Sequence, residues 1–171
     1  MKNIQLEPGM FFVTRNPMAL GRAIMAIERV WAKDNEATYS HAGIVTDPEG
    51  TTLEALWRIQ GNSLDAYKGE RVMIGRWTGM NEATYWKGID AIKEHVGQIY
   101  PFWRLPLFLV PIMAKYVSLG RFAVCSELTT KFLLGAGFAS IGEWRNQTPD
   151  DVAELIDRDR DVIKVFEGVW E

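Results

Sequence analysis

Two spacings of hydrophobic residues occur along the chain, and they predict both strands and helices. Short runs rich in apolar and β-branched residues predict strands at residues 10–14, 38–46, 51–57, 71–77 and 162–166. Apolar residues repeated every three or four positions predict helices at residues 17–32, 81–97, 125–135 and 148–157. No internal repeat or linker interrupts this pattern. Because 171 residues suffice for one core but not comfortably for two, we expect a single domain over residues 1–171.

Local signals mark the ends of several predicted helices. Asn81 is a residue type that caps helix N-termini. Thr148, followed three residues later by Asp151, forms a capping-box pattern. Gly135 supplies a residue that tolerates the left-handed C-terminal cap. Residues 58–67 carry no such signal, and we expect a loop or an irregular strand there.

The strands at 38–46 and 51–57 are separated by a turn that contains proline and ends in glycine, a pattern typical of a hairpin. If the turn comprises the four residues between the strands, Gly43 lies opposite Glu54. The alternation of side chains then puts His41 and Glu54 on the same face as diagonal neighbours. The absence of a side chain on Gly43 leaves space beside the carboxylate.

Cys125 is the only cysteine, and it stands where an extended apolar run turns into a helix. Cys125, Leu128 and Phe132 share one helix face. The unpaired N–H groups and the macrodipole at a helix N-terminus favour a thiolate over a thiol. A lone cysteine on an apolar face is also commonly an inert small hydrophobe, so a nucleophile needs a base nearby.

Cys125, His41 and Glu54 form the candidate catalytic constellation. A histidine can take the thiol proton, and a carboxylate can fix the orientation and tautomer of that histidine. The backbone N–H groups of Cys125 and Ser126 would then receive an oxyanion. The alternatives are a hydrogen-bonded core histidine at position 41 and a solvated strand-end carboxylate at position 54. His95 lies beside the apolar stripe of its predicted helix and is expected at the surface.

Charge and residue counts exclude several other classes of protein. A net charge of −3 without a basic block argues against a nucleic-acid partner. Two histidines and one cysteine are too few for a usual structural zinc site. The aspartates at 157–161 imitate the start of a calcium loop, but the required glycine and bidentate glutamate are missing. We therefore expect no metal and no other cofactor.

Residues 102–117 are apolar but interrupted by prolines and basic residues. Such a segment is not a transmembrane helix, and we expect it to wall a pocket or to contact a lipid or another apolar partner. The chain opens without the apolar core of a secretory signal, which predicts a cytoplasmic location by default. Delivery by another route, such as a phage lysate or a secretion apparatus, is the alternative.

Three motifs carry the candidate residues and resemble a known family. They are Tyr39-Ser40-His41-Ala42-Gly43-Ile44-Val45, Leu53-Glu54-Ala55 and Val124-Cys125-Ser126-Glu127-Leu128. In this order they resemble the circularly permuted NlpC-type, papain-like cysteine hydrolases of the YiiX group, in which the histidine strand precedes the cysteine helix. Flanking matches extend the resemblance over nearly the whole chain: Leu6-Glu7-Pro8-Gly9-Met10, Gly97-Gln98-Ile99-Tyr100 and Thr148-Pro149-Asp150-Asp151. Met10 and Pro101 depart from the family pattern, which has aspartate at both positions.

The resemblance implies an α+β fold, in which an antiparallel sheet or partial barrel carries His41 and Glu54 against the Cys125 helix. It implies attack by the Cys125 thiolate on an acyl carbon and a thioester intermediate. Glu54 is our choice for the third residue, since related enzymes place histidine, asparagine, glutamine or glutamate there. The aromatic candidates for a substrate groove are Tyr39, Tyr100, Phe102 and Trp103.

Three functions are compatible with these residues. The first is an amidase or peptidase, with cell-wall peptides as one possible substrate. The second is a hydrolase or acyltransferase of fatty-acyl substrates, because the fold also resembles relatives of lecithin retinol acyltransferase. The third is a catalytically silent binding or structural module of a larger assembly. The oligomeric state is left open.

Overall fold

The structure is a computed structural model that describes residues 4–15, 38–99, 125–145 and 147–171. Within these residues six strands form one antiparallel sheet in the order β4-β3-β2-β1-β5-β6. The strands are β1 (Phe11–Thr14), β2 (His41–Val45), β3 (Thr51–Ala55), β4 (Ile59–Ser63), β5 (Arg71–Trp77) and β6 (Val162–Val169). The α-helices are α1 (Glu82–Ile92), α2 (Cys125–Ala136) and α3 (Pro149–Arg158). Two 3₁₀ helices add Leu64–Tyr67 and Lys93–His95.

The predicted strands and most predicted helices are confirmed. Asn81 caps α1 and Thr148 caps α3, each with the reciprocal side-chain bond of a capping box. Residues 58–67, expected as a loop or an irregular strand, form β4 and a 3₁₀ helix instead. The predicted helix at 17–32 lies outside the described residues, as does the apolar segment 102–117.

The hairpin of β2 and β3 has the predicted register, with Gly43 opposite Glu54. Gly50 closes the turn with a φ of 87°, a left-handed conformation that favours glycine. The Asp47 carboxylate accepts a hydrogen bond of 2.9 Å from the Thr51 backbone N–H. The turn therefore fixes the register that brings residues 41 and 54 to the same face.

The central strands β1, β2 and β5 bury both of their faces, because their alternate residues enter different apolar clusters. The helix-side cluster packs strand residues against the α-helices and includes Phe11, Val13, Ala42, Ile44, Leu128, Phe132, Val152 and Ile156. The far-side cluster lies under the chain before β1 and the first 3₁₀ helix, and comprises Leu6, Met10, Phe12, Val45, Leu64, Tyr67, Val72 and Ile74. Strand alternation puts His41 on the same side as Phe12.

Glycines let α1 and α2 approach closely. A Cβ at Gly135 would stand 2.3 Å from the Cβ of Ala91, and a Cβ at Gly88 would stand 2.6 Å from the Phe132 ring. Gly135 was expected to cap α2, but it lies inside the helix, which continues to Ala136. The residue with the left-handed conformation is Gly137, with a φ of 104°.

The prediction that His95 lies at the surface is wrong. The α-helix ends at Ile92 and a 3₁₀ turn follows, so His95 is carried inward and is only 1% exposed. Its Nε2 lies 2.6 Å from Lys131 Nζ, and its Nδ1 lies 3.2 Å from Gln98 Oε1. The second histidine of the chain therefore joins α2 to the chain after α1.

Across the described ranges, no helix combines the length and the apolar character needed to cross a membrane.

Substituting Gly43 tests the close packing around the hairpin. A Cβ there would stand 2.6 Å from the Phe12 ring and 2.8 Å from Glu54 Cγ. Because overpacking of a core displaces its neighbours, we expect Gly43→Ala to lower the free energy of unfolding by about 1–3 kcal/mol in urea titrations. Gly61→Ala is the control, since its Cβ would meet only the Thr52 carbonyl oxygen at 3.8 Å. A Gly43→Ala protein as stable as the Gly61→Ala protein would contradict this packing.

Candidate active site

The centre of the site is a buried pair formed by His41 on β2 and Glu54 on β3. His41 Nε2 lies 2.6 Å from Glu54 Oε2, and the two residues are 2% and 0% exposed. The hairpin register generates this contact, because it makes the two residues diagonal neighbours across β2 and β3. A solvated strand-end carboxylate at position 54 is therefore ruled out.

Glu54 accepts two further hydrogen bonds from hydroxyl groups. Thr52, two residues earlier on the same face of β3, donates to Oε1. Tyr67, at the end of the first 3₁₀ helix, donates to Oε2. Both oxygens of the carboxylate are thus occupied by donors from the protein, the arrangement that a buried ionised carboxylate requires.

Cys125 completes the constellation from the first residue of α2. It is 2% exposed, and it interacts with the His41 imidazole, whose pKa it raises. Since Nε2 of the imidazole faces Glu54, Nδ1 is the nitrogen that remains for the sulfur. Cys125 belongs to the helix-side cluster, whereas Glu54 is bound by far-side Tyr67. His41, the first residue of β2, therefore links a residue of the helix-side cluster to a carboxylate bound from the far-side cluster.

The protonation of His41 is set by its two partners. Burial alone lowers the pKa of His41, but the hydrogen bonds to Cys125 and to Glu54 raise that pKa to about 10. Burial likewise raises the pKa of Glu54, and the hydrogen bonds from His41, Thr52 and Tyr67 outweigh it and hold that pKa below its ordinary value. The pair therefore favours an ionised carboxylate beside a protonated imidazole.

Aromatic rings surround the imidazole. The Phe12 ring meets the edge of His41 with centroids 6.4 Å apart and an interplanar angle of 65°. The Tyr67 ring lies 5.8 Å from His41 and 5.8 Å from Phe12. These rings keep water from the Glu54 contact and restrict rotation of the imidazole.

The start of α2 is held by the segment that leads into α3. Ser126 Oγ donates to the Gln147 carbonyl oxygen at 2.5 Å. The next turn of the helix caps its own first carbonyl, since Thr129 Oγ1 donates to the Cys125 oxygen at 3.0 Å. The Tyr39 backbone N–H donates to Asp150 Oδ1 at 3.1 Å. Residues 147–150 thus bond both to the residue after Cys125 and to the chain just before His41.

The other predicted site residues have different outcomes. Tyr39 is 3% exposed and lies in the helix-side cluster, so the structure describes a core residue, and its role in a groove stays a prediction. Tyr100, Phe102 and Trp103 lie outside the described residues. The oxyanion role of the backbone N–H groups of Cys125 and Ser126 stays a prediction.

Two hydroxyl residues of the site were not predicted. Thr52 was open to prediction, because the two-residue period of a strand puts it on the same face as Glu54. Tyr67 had no usable signal, since it reaches Glu54 through a 3₁₀ helix that the sequence pattern did not predict.

The described residues contain no group of three or more histidine, cysteine, aspartate or glutamate side chains arranged to hold a metal ion. Glu54 directs both oxygens at His41, Thr52 and Tyr67, which leaves only the sulfur of Cys125 and one nitrogen of His41 as donors. Two donors are fewer than the three or four protein ligands of usual zinc sites. These residues do not fit a resident metal.

Comparisons with known proteins show a likeness to a solved structure. No protein-family model matches the chain, and no curated protein matches it by sequence. A solved structure of the protein described as metalloprotein yiiX from Escherichia coli O157:H7, DUF1105, is similar, with a TM-score of 0.62. The match covers 98% of this chain and 99% of that chain at 16% sequence identity. The chain therefore has a YiiX-like α+β fold.

Replacing the buried carboxylate tests its ionisation. Glu54→Gln puts an amide N–H₂ against groups that are themselves donors, so we expect the free energy of unfolding at pH 7 to fall by about 1–3 kcal/mol. Because the folded-state pKa of Glu54 is lowered, its stabilisation exists above the ordinary carboxyl range and disappears as the pH falls through that lowered pKa. Urea titrations from pH 7 to pH 3 should therefore show a shallower loss of stability in the variant.

The control for this substitution is Glu49→Gln, which changes an exposed turn carboxylate. It should leave both the stability and its pH dependence nearly unchanged. If Glu54→Gln and Glu49→Gln gave the same curves, the buried carboxylate would not be ionised in the folded protein.

Proposed function

We propose that the protein is a cysteine-dependent hydrolase of amide bonds, with Cys125 as nucleophile, His41 as base and Glu54 as orienting residue. One observation carries the proposal: the buried His41 imidazole contacts the buried carboxylate of Glu54 at 2.6 Å and interacts with the only thiol of the chain. A histidine with a purely structural role requires neither a thiol nor a buried carboxylate as its partner.

The reaction follows from the two nitrogens of His41. Nδ1 accepts the thiol proton, and the Cys125 thiolate attacks the carbonyl carbon to form a tetrahedral intermediate. The intermediate collapses to a thioester, and the imidazolium gives its proton to the departing amine. His41 then takes a proton from water, the resulting hydroxide attacks the thioester, and the carboxylic acid and the Cys125 thiol are released.

Glu54 acts on His41 rather than on the substrate. An ionised carboxylate can only accept hydrogen bonds, so it keeps a proton on Nε2 and leaves Nδ1 to exchange its proton with the sulfur. It also stabilises the imidazolium, which supports the thiolate. The backbone N–H groups of Cys125 and Ser126, in the first turn of α2, are the proposed donors to the oxyanion.

The wider assignment rests on the order of these residues in the chain. The histidine strand precedes the cysteine helix, which supports the circularly permuted NlpC-type, papain-like group. The similar structure is described as a metalloprotein, but the described residues of this chain do not fit a metal, and no step here uses one.

Peptides, including cell-wall peptides, are the proposed substrates. Fatty-acyl esters or amides are the second class, proposed from the apolar composition of residues 102–117. The sequence contains no basic block, which argues against a nucleic-acid substrate.

Alkylation by iodoacetamide tests the nucleophile. The reagent is small and uncharged, which suits a thiol that is 2% exposed, and Cys125 is the only thiol that can react. Because the pKa of His41 is raised to about 10, the imidazolium persists through neutral pH and supports the thiolate there. We expect the rate to vary little from pH 6 to pH 8, whereas a free thiol gains about tenfold per pH unit below its pKa.

His41→Gln should remove this behaviour, so that the labelling rate at pH 6 falls by about tenfold or more. His95→Gln is the matched control, because it changes the other buried histidine of the chain and should keep the flat profile. If the parent protein and His41→Gln were labelled equally slowly, the nucleophile would be rejected in favour of a silent module.

Mass spectrometry of an acyl adduct on Cys125 identifies the substrate class. The protein is mixed with a panel of short peptidyl amides and of p-nitrophenyl esters of increasing chain length, with Cys125→Ala as the blank. We expect adducts and turnover with peptidyl amides. Turnover that rises with acyl-chain length, without peptidyl adducts, would replace the amidase by a fatty-acyl hydrolase.

A further inference from the structure

Tyr67 contacts Glu54 from the 3₁₀ helix that follows β4. It ends the 3₁₀ helix Leu64–Tyr67, is 3% exposed, and donates its phenolic hydrogen to Glu54 Oε2. The same oxygen accepts from His41 Nε2 at 2.6 Å, whereas Thr52 occupies Oε1. Tyr67 and His41 therefore meet on one oxygen atom.

Asn62 lies on the same face of the sheet as Glu54. It stands on β4 directly opposite Thr52 in the β3–β4 register. Its interaction with Tyr67 lowers the pKa of the phenol, whereas burial and Glu54 raise that pKa. The phenolic hydrogen itself is donated to the carboxylate.

We propose that Tyr67 is a positioning residue that keeps Glu54 ionised and aligned on His41. The proposal rests on the function proposed above for Cys125 and His41. It adds Tyr67 to the site, so that Tyr67 and His41 both bond to Glu54 and His41 in turn interacts with Cys125.

The chemical reason lies in what a protonated Glu54 would do. Its O–H would donate to Nε2, and the ring proton of a neutral imidazole would then sit on Nδ1. A protonated Nδ1 cannot accept the thiol proton of Cys125. Because Glu54 is 0% exposed, no water can supply the missing stabilisation if a donor is removed.

Hydrogen-bond donors on three described elements lower the pKa of Glu54 and so keep it ionised. His41 faces it from β2, Thr52 from β3 itself and Tyr67 from the 3₁₀ helix. Cys125 on α2 acts on it through the imidazole. Tyr67→Phe removes only the hydroxyl that bonds to the same Glu54 oxygen as His41, which makes Tyr67 the informative position.

The direct test is a ¹³C NMR titration of the Glu54 carboxyl carbon in the unreacted protein, with the signal identified by its loss in Glu54→Gln. Removal of a donor from a buried carboxylate raises its pKa, so we expect Tyr67→Phe to shift the Glu54 titration upward by about one pH unit. Tyr85→Phe is the control, since it removes a phenolic hydroxyl from a tyrosine on α1. The ring of Tyr85 packs against Trp86 and Phe132 rather than near Glu54. An unchanged Glu54 titration in Tyr67→Phe would overturn the proposal.

A second readout uses the reactivity of Cys125. In Tyr67→Phe the acid limb of the alkylation rate should move upward by about one pH unit, with the rate restored at higher pH. A uniform loss of rate at all pH values would indicate a structural role and overturn the proposal. Should Tyr67→Phe fail to fold, Asn62→Ala must shift the Glu54 titration in the same direction, and an unchanged titration there would overturn it equally.

The two proposals fail separately. If His41→Gln leaves alkylation unchanged, the nucleophile is lost, whatever the Glu54 titration shows. If His41→Gln abolishes the reactivity and Tyr67→Phe leaves the Glu54 titration unchanged, the nucleophile stands and the role of Tyr67 is rejected.

Discussion

The site depends on one physical constraint, the burial of an ionised carboxylate in the middle of a sheet. An isolated charge removed from water costs many kcal/mol, so Glu54 is tolerable only with a full set of donors. The structure supplies them from three elements: His41 on β2, Thr52 on β3 and Tyr67 on a 3₁₀ helix. The local fold around the hairpin is arranged so that these donors converge, and loss of any of them leaves the charge poorly compensated.

This constraint gives several neighbouring features a common explanation. Position 43 lies opposite Glu54, and it is a glycine because a Cβ there would meet both the Glu54 side chain and the Phe12 ring. Strand β4 and the 3₁₀ helix after it bring Tyr67 back over β3 and present Asn62 beside it. The edge strand β4 and the 3₁₀ helix after it therefore help to hold the Glu54 carboxylate, and through it the His41 imidazole.

The sequence permitted the prediction of those parts of the site that follow local periodicity. The two-residue period and the length of the turn put His41 and Glu54 on one face, and the observed register agrees. Tyr67 and His95 escaped prediction because each is placed by a 3₁₀ turn, whose three-residue period leaves no apolar pattern in so short a segment. The approach of Cys125 to His41 was expected from the family order of motifs, since no local pattern spans such a separation.

The two halves of the site differ in how they are held. His41 and Glu54 belong to paired strands, where the hydrogen-bond ladder fixes their positions. Cys125 belongs to a helix whose start is fastened by the Ser126 bond to Gln147, in the segment that also binds the Tyr39 backbone through Asp150. The orienting half of the site therefore depends on the charge of Glu54, and the nucleophilic half depends on side-chain bonds to one short segment. Replacing Ser126 by alanine should misplace the sulfur while leaving the His41–Glu54 pair intact, which separates alignment of the nucleophile from protonation of its base.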